Sequence, residues 1–306
     1  MPLLSGGRKI LWFITGLFLL FSTLIVTITE VALPAAMIFP ALYCLYSEKV
    51  PIRWSPLVAI IPLVLGILPS LRFGAVTYGA LLASSFIMLM FLRKGYLGLA
   101  IAIPSSLFFS LFMLIVISTA WHEGNNFQTV LFQWTDQILN QVQMVYQGLL
   151  SAQDMERFQM SRPVIQARIV SLFPSIVLTS TATILWLNLQ IVSGTFRNVV
   201  LRAWRSPDWV VAIFILAGVL TLVQHPTASA IGLNILITVG QVYFFQGMGI
   251  VAYFMNEQKW PGVIRWPLYI LILIQIYIMI IVAGLGLFDT WFDFRKRIRT
   301  AKGDEQ

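Results

Sequence analysis

Nine runs of apolar residues follow one another along this chain, and they constrain its fold more than any other feature. Crossing about 30 Å of hydrocarbon takes roughly 17 to 25 predominantly apolar residues. The runs cover approximately 10–29, 31–46, 56–71, 74–92, 97–120, 167–193, 209–223, 229–255 and 267–288. Inside a bilayer every backbone N–H and C=O group needs a partner within the protein, so such segments must be helical. The sequence therefore predicts an all-α, polytopic transmembrane helical bundle.

Composition extends this prediction to the whole chain. Hydrophobic residues make up 58% of the 306 positions and charged residues only 10%, whereas soluble domains carry about 25% charged residues. The deficit is spread along the chain. Arg8 and Lys9 precede a first run that is not followed by a small-residue cleavage site. We therefore expect a single integral membrane domain, 1–306, that retains its first span.

The positions of lysine and arginine predict the orientation, because basic loops stay on the cytoplasmic side. If the basic pair at 8–9 is cytoplasmic, the basic loops at 49–53, 93–94 and 197–205 fall on the same side. The long polar stretch 121–161 then falls outside. We expect a multi-pass protein of the bacterial cytoplasmic (inner) membrane.

The basic tail decides the number of crossings. Nine full crossings would place the tail, 290–306, outside, against the positive-inside rule. One segment within 209–255 is therefore expected not to cross. The run 229–255 contains four glycines, which makes it the expected place of a broken or re-entrant helix. We predict about eight spans with both termini cytoplasmic; seven or nine are the alternatives.

The stretch 121–161 is predicted to form an extracytoplasmic amphipathic helical insertion. Its apolar residues recur at spacings of three and four, as on one helix face. Basic residues are nearly absent, so attraction to anionic lipid is a poor explanation. We expect a helix over the outer mouth of the bundle; a lid or a partner-docking helix is the alternative. The apolar face comprises Phe127, Leu131, Trp134, Ile138, Val142, Val145 and Leu149, and the opposite face carries Gln133, Gln137, Gln141 and Gln147.

Sequence motifs give little support for catalysis. The chain has no Gly-rich phosphate loop, no H-E-x-x-H and no G-x-S-x-G. Cys44, His122 and His225 lack the spacing of metal ligands. The net charge of +8 is explained by the cytoplasmic loops. We therefore expect no enzyme activity, no cofactor, no metal and no nucleic-acid partner.

Five neutral amides inside the apolar runs are the best candidates for a binding site. In lipid such groups must bond each other, a freed backbone group or a ligand. Interhelical bonding is the simpler interpretation, and a substrate-binding role is the alternative. Gln246, beside a glycine in the expected helix break, is the first candidate for a ligand. The five are Asn188, Asn234, Gln241, Gln246 and Gln275.

The basic tail is predicted to contact the lipid bilayer. Clusters of basic residues beside the last span attract anionic headgroups, with about 1 kcal/mol for each residue near the surface. The expected contacts are Arg295, Lys296, Arg297 and Arg299. Other membrane proteins are the second expected class of partner.

The end of the chain, Gly286-Leu-Phe-Asp-Thr-Trp-Phe-Asp-Phe-Arg-Lys296, resembles the ending of the YybS-like family of bacterial multi-pass membrane proteins. Further matches lie at Leu172-Phe173-Pro174, at Asn188, at Gly232-Leu233-Asn234 and at Phe245-Gln246-Gly247. That family is distantly similar to the substrate-binding subunits of energy-coupling-factor transporters. The resemblance implies a helical bundle with a small-molecule cavity toward the outside, and it transfers no binding residue.

Two functions are consistent with these features. The first is a small-molecule-binding or transport subunit whose cavity is roofed by the outer helix. The second is a non-transporting scaffold or assembly protein that organises partners in the membrane. A polar cavity lined by the amides favours the first, and a filled bundle favours the second.

Overall fold

A computed structural model of the protein describes residues 4–27, 29–48, 60–196 and 201–297. Within these ranges every regular element is helical, which confirms the predicted all-α class. Two 3-10 turns lie at Pro69–Leu71 and Leu201–Ala203. The α-helices are α1 (Leu4–Thr27), α2 (Thr29–Ser47), α3 (Ile60–Leu65), α4 (Arg72–Arg93), α5 (Leu97–His122), α6 (Phe127–Tyr146), α7 (Ala152–Val192), α8 (Trp209–Thr221), α9 (Pro226–Glu257), α10 (Gly262–Ile274) and α11 (Ile276–Phe292).

Several of these helices are long and apolar enough to cross a membrane. By length and composition, α5, α7, α9 and the Gly74–Arg93 part of α4 qualify. The bent pair α10 and α11 passes the same test together, as either one broken span or a re-entrant loop, and shorter apolar helices lie at Trp12–Thr27, Ala36–Ser47 and Trp209–Thr221. The chain is therefore a membrane protein with four or five clear candidate spans among the described residues.

The chain divides into two compact units. The first comprises Met1–Phe108, Ser180–Val211 and Val239–Gln306, and the second Phe109–Thr179 and Ala212–Thr238. In the first unit α1, α2 and α4 pack together. The buried Phe18 ring lies 5.1 Å from Phe39, whose ring lies 5.4 Å from Tyr78. All three of these aromatic side chains are fully buried.

In the second unit α6 packs through one face. Its buried residues are Val130, Leu131, Thr135 and Leu139. The last three of these positions are spaced by four, as expected for one side of a helix, and Val130 adjoins them. Ile138, Val145 and Leu149, which belong to the predicted apolar face, are instead exposed. The buried face is thus rotated from the predicted one.

A basic residue of α7 ties that helix to α6. The Arg162 guanidinium bonds the Asp136 carboxylate at 2.6 Å and the Asn140 side-chain oxygen at 2.8 Å.

We predicted the sixth span over 167–193, but α7 begins at Ala152. The last ten residues of the predicted outer insertion are therefore part of this 41-residue helix.

The predicted helix break in 229–255 is wrong. This segment lies within α9, which is continuous from Pro226 to Glu257. Some of its glycines instead allow close packing: a Cβ on Gly232 would lie 2.6 Å from the backbone nitrogen of Thr221 on α8. A break does occur later, at Gln275, where α10 and α11 are bent by 101°.

Two predicted segments are only partly described. The run 56–71 contributes the six-residue α3, and residues 49–59 lie outside the described ranges. The basic tail from position 298 onward, which includes Arg299, lies outside the described ranges as well.

Candidate functional site: polar contacts between helices

The side chain of Asn188 on α7 bridges two backbone groups of α2. Its Oδ1 accepts the Ala41 N–H at 2.8 Å, and its Nδ2 donates to the Met37 carbonyl at 2.6 Å. Met37 and Ala41 are four residues apart, so they would bond each other in a regular helix. Pro40, which has no N–H, lies between them. Nδ2 also donates to the Ile184 carbonyl of its own helix at 2.7 Å, so the amide is fully used in helix packing.

Asn234 on α9 makes the same arrangement with α7 in the second unit. Its Oδ1 accepts the Ser175 N–H at 2.9 Å, and its Nδ2 donates to the Ser171 carbonyl at 2.8 Å. Pro174 lies between these two groups, as Pro40 does in α2. Nδ2 again donates to a carbonyl four residues earlier in its own helix, that of Ala230, at 2.8 Å. We call each of these arrangements an asparagine clasp.

A short sequence signature accompanies both clasps. Each bridged proline follows a phenylalanine, at Phe39-Pro40 and Phe173-Pro174, and each asparagine follows a leucine. The asparagines were selected from sequence as candidate site residues, whereas Pro174 was noted only as part of a family match and Pro40 was not noted. The repeated Phe-Pro pairs are the signal that could have identified them.

The two glutamines of α9 also bond neighbouring chain segments. Gln241 Nε2 donates to Thr183 Oγ1 at 2.6 Å. Gln246 is 1% exposed; its Oε1 accepts the Ser206 hydroxyl at 2.7 Å and the Ser206 N–H at 3.0 Å. Its Nε2 donates to Asp289 Oδ2 at 3.1 Å. The structure therefore places Gln246 in a polar network rather than beside open space.

Asp289, near the end of α11, is the centre of this network. It is fully buried. Its Oδ1 accepts the Phe294 N–H at 2.9 Å, and its Oδ2 pairs with Arg295 Nη1 at 3.2 Å. Arg205 approaches the same oxygen at 3.8 Å. Asp289 was not among the candidates selected from sequence, although an acid that closes an apolar run next to a basic cluster was a visible signal.

The position of Arg295 corrects the predicted lipid contact. Its side chain is buried, and Nη2 donates to the Trp204 carbonyl at 3.1 Å. Burial lowers the pKa of the Arg295 guanidinium, and the Asp289 carboxylate opposes that effect. Because a carboxylate already balances its charge inside the protein, Arg295 is not presented to headgroups. Lys296 and Arg297 remain exposed.

A second acid, Asp293, forms an exposed ion pair beside the buried one. Its carboxylate bonds the Arg205 guanidinium. This hydrogen bond is the main cause that lowers the pKa of Asp293 below its usual value. Asp293 has a positive φ of 45° and ends α11 in the left-handed conformation, so the chain turns back after the helix and brings Arg295 to Asp289.

Two glycines let α9 and α11 approach closely next to this network. A Cβ on Gly247 would overlap the Val282 carbonyl oxygen, and one on Gly286 would overlap the Tyr243 carbonyl oxygen. The glycine beside Gln246 therefore serves a helix crossing. That crossing positions Gln246 within reach of Asp289.

Gln275, the fifth amide selected from sequence, is not brought to the others. It lies at the break between α10 and α11, with an extended backbone (φ −97°, ψ 107°), and its side chain is exposed. The structure thus brings together Gln246, Asp289 and Arg295 in the first unit. Asn188, Asn234 and Gln241 each bond other partners.

A small cavity lies in the first unit near the network. Its volume is about 50 Å³. It is walled mainly by apolar side chains, including Trp186, Phe245 and Met248, and Arg202 also lines it. Pockets for drug-sized ligands measure roughly 300 to 1,000 Å³, so this cavity has room for little more than water. Among the described residues, histidine, cysteine and acidic side chains form no group of three that could hold a metal ion.

Comparison with known proteins identifies the family of the chain. No curated protein and no solved structure matches it. The model of a family described as predicted membrane protein (DUF2232) matches residues 10–290, nearly the whole chain. The chain therefore belongs to the DUF2232 family of predicted membrane proteins.

Proposed function

We propose that this protein is a non-enzymatic, non-transporting scaffold that organises partner proteins in the bacterial cytoplasmic membrane. One observation carries the proposal: of the five amides selected as ligand candidates, four donate to or accept from groups of this same chain. They are Asn188, Asn234, Gln241 and Gln246.

A small-molecule site of the kind that the family resemblance implies needs polar groups that face an enclosed space. Both asparagines instead use their oxygen and their nitrogen to support helices. Gln246 uses both ends within the Asp289 network. The nearby cavity of about 50 Å³ does not accommodate a vitamin-sized molecule. These features support a bundle organised for rigidity.

The exposed residues of α6 supply a surface on which a partner could dock. Ile138, Met144 and Val145 of α6 and Leu149 just after it are exposed, although the segment is too polar to be a span. Exposed apolar patches on water-facing elements mark interaction sites. We assign this stripe as the partner-docking surface of the scaffold, on the extracytoplasmic side.

Site-specific photocrosslinking in cells tests this assignment. A photoreactive phenylalanine analogue at Ile138 or Val145 should give adducts of discrete mass. The adducts from the two positions should contain one and the same partner protein. Gln137 and Gln141 are exposed on the same helix and serve as matched controls. Absence of adducts at the apolar positions, or equal adducts at the glutamines, would contradict the docking surface.

Mass spectrometry of the purified protein tests the competing function. A scaffold should carry no stoichiometric small molecule. A compound that co-purifies with the wild type and is lost from a folded Gln246→Leu variant would support a substrate-binding subunit instead and would overturn the scaffold proposal.

The proposed topology has eight crossings, cytoplasmic termini and an extracytoplasmic α6. Cysteine labelling of intact cells in a Cys44→Ser background tests it. An impermeant maleimide should modify Gln141→Cys and should leave Lys302→Cys unmodified until the membrane is opened. Labelling of Lys302→Cys in intact cells would rule out this topology.

A further inference from the structure

The chain segment that follows α11 is attached to the first unit through one buried side chain. We call this segment, residues 293–297, the C-terminal strap. Arg295 is its one buried residue, and the two residues after it are exposed. The Arg295 guanidinium donates from Nη1 to the Asp289 carboxylate at 3.2 Å and from Nη2 to the Trp204 carbonyl at 3.1 Å. The position of the strap therefore depends on how firmly these groups hold Arg295.

Arg295 is incompletely paired in its buried position. Its Nε is buried and makes no hydrogen bond to any described residue. Its Nη2 also approaches the Gln246 carbonyl, at 3.4 Å, which is longer than a typical N–H···O hydrogen bond. A buried donor without a partner loses the hydrogen bond that water would supply. The buried state of Arg295 is therefore less favourable than that of a fully bonded arginine.

A second arginine lies beside the same carboxylate oxygen. Arg205 Nε is 3.8 Å from Asp289 Oδ2, the oxygen to which Arg295 donates. The Arg205 side chain is 43% exposed and pairs with Asp293, which is itself 41% exposed. Because an exposed ion pair contributes little to stability, Arg205 can leave Asp293 at small cost. Asp289 thus has one bonded cation and a second cation within reach.

Asp293 is placed where a movement of the strap needs a hinge. It lies between the end of α11 and Arg295, and its φ is 45°, a conformation that is uncommon for residues other than glycine. Hinges are a few residues at the end of an element that take up a large change of φ and ψ. A return of Asp293 to negative φ would redirect the chain and withdraw Arg295 from Asp289.

We propose that the C-terminal strap is releasable, and that Arg205 takes over the Asp289 carboxylate when Arg295 leaves. In the closed state Arg295 pairs with Asp289, and Arg205 pairs with Asp293. In the open state Arg205 pairs with Asp289, while Asp293 and Arg295 are hydrated. The buried carboxylate keeps a cation in both states, so opening avoids the uncompensated charge that makes the loss of one partner of a buried pair costly.

Opening changes the charge that the strap presents to its surroundings. Lys296 and Arg297 are exposed in the closed state. Release of Arg295 adds a third basic side chain directly before them, which completes a run of three at the surface. The inference concerns a conformational change within the chain and does not depend on the proposed function.

Hydrogen exchange of the strap amides in the full-length protein tests the proposal. The Phe294 N–H donates to Asp289 Oδ1 at 2.9 Å, so its exchange reports opening. Arg205→Gln removes the cation that the open state needs and should slow exchange in the strap roughly tenfold or more. If Arg205 only clamps the closed strap through Asp293, the same variant should speed exchange instead. Arg202→Gln, at an exposed position outside both ion pairs, is the matched control and should leave exchange unchanged.

A double-mutant cycle tests the exchange of partners by a second route. In an Arg295→Gln background Arg205 is the remaining cation beside Asp289. Adding Arg205→Gln should therefore lower the melting temperature much more in that background than in the wild type, since the two changes are coupled through one carboxylate.

Four results would overturn the proposal. The first is strap exchange in Arg205→Gln that is unchanged or faster than in the wild type. The second is an equal slowing in the Arg202→Gln control. The third is a cycle in which the two melting-temperature changes are additive. The fourth is an Arg295→Gln variant that does not fold, because Arg205 would then have failed to replace Arg295 at Asp289.

Discussion

Asn188 completes the hydrogen bonding of α2 at Pro40. The proline cannot donate to the carbonyl four residues before it, and its ring disturbs the adjoining turn. Asn188 joins the next pair along the helix by accepting from Ala41 and donating to Met37. A buried amide thus bonds both ends of one turn of the neighbouring helix.

This relationship predicts an energetic coupling between the asparagine and the proline. Asn188→Leu removes the two hydrogen bonds to backbone groups of α2 and should destabilise the protein by about 1 to 3 kcal/mol. In a Pro40→Ala background α2 can close its own hydrogen bonds, so the same change should cost less. Thermal unfolding of the four proteins of this double-mutant cycle in detergent measures the coupling.

The second clasp provides an internal replicate. Asn234→Leu and Pro174→Ala should show coupling of the same sign, because the hydrogen bonds are arranged in the same way. If both cycles gave additive effects, the asparagines would stabilise the bundle without compensating for the prolines.

Alanine substitutions of the glycines near the network should change the stability in opposite directions at different positions of the same helix. Alanine is favoured over glycine inside a helix by about 1 kcal/mol, so Gly240→Ala and Gly284→Ala should be neutral or stabilising, since both positions are open. Gly247→Ala and Gly286→Ala introduce a Cβ that overlaps a backbone carbonyl of the facing helix. Overpacking of this kind costs about 1 to 3 kcal/mol.

Melting temperatures of the four glycine variants check this prediction. Gly240 and Gly247 both lie on α9, and Gly284 and Gly286 both lie on α11. Comparing the two alanine variants of one helix therefore cancels differences in helix propensity. Similar melting temperatures within each pair would mean that α9 and α11 do not cross at Gly247 and Gly286.

The sequence predicted the helical membrane class correctly because apolar length and charge deficit are local properties. The sequence also identified Asn188, Asn234 and Gln246, since an amide inside an apolar run is unusual whichever helix it packs against. Their partners could not be predicted, because they lie 40 to 151 residues away in the chain and depend on which helices pack together.

The position of the helix break shows the limit of local reasoning. Glycine disfavors a helix in isolation, so 229–255 was the expected place. In the folded protein the missing side chains of Gly232 and Gly247 allow neighbouring backbone to approach, and packing keeps α9 intact. The break at Gln275 follows a run of strongly apolar residues that carries no glycine or proline at that point.

The two acids at the end of α11 should differ greatly in their contribution to stability. Asp289 is buried against Arg295, and removing one partner of a buried pair costs about 3 to 5 kcal/mol, because an uncompensated charge remains. Asp293 and Arg205 are both partly exposed, and such pairs contribute about 0 to 1 kcal/mol. Asp289→Asn should therefore lower the unfolding free energy far more than Asp293→Asn. Equal effects would contradict the central position of Asp289 in the network.

Asp293 also predicts a pH dependence. Its bond to Arg205 lowers the pKa of the carboxylate in the folded protein below the value of about 3.9 expected in the unfolded chain. A carboxylate with a lowered pKa contributes stability that is fully present above the unfolded pKa and is lost as the pH falls through the folded pKa. The difference in melting temperature between wild type and Asp293→Asn should therefore be constant near neutral pH and should shrink below about pH 4. Arg205→Gln should remove the same pH-dependent part, since it removes the hydrogen-bond donor. A difference that grew on acidification, or one that Arg205→Gln left unchanged, would mean that this ion pair does not stabilise the turn after α11.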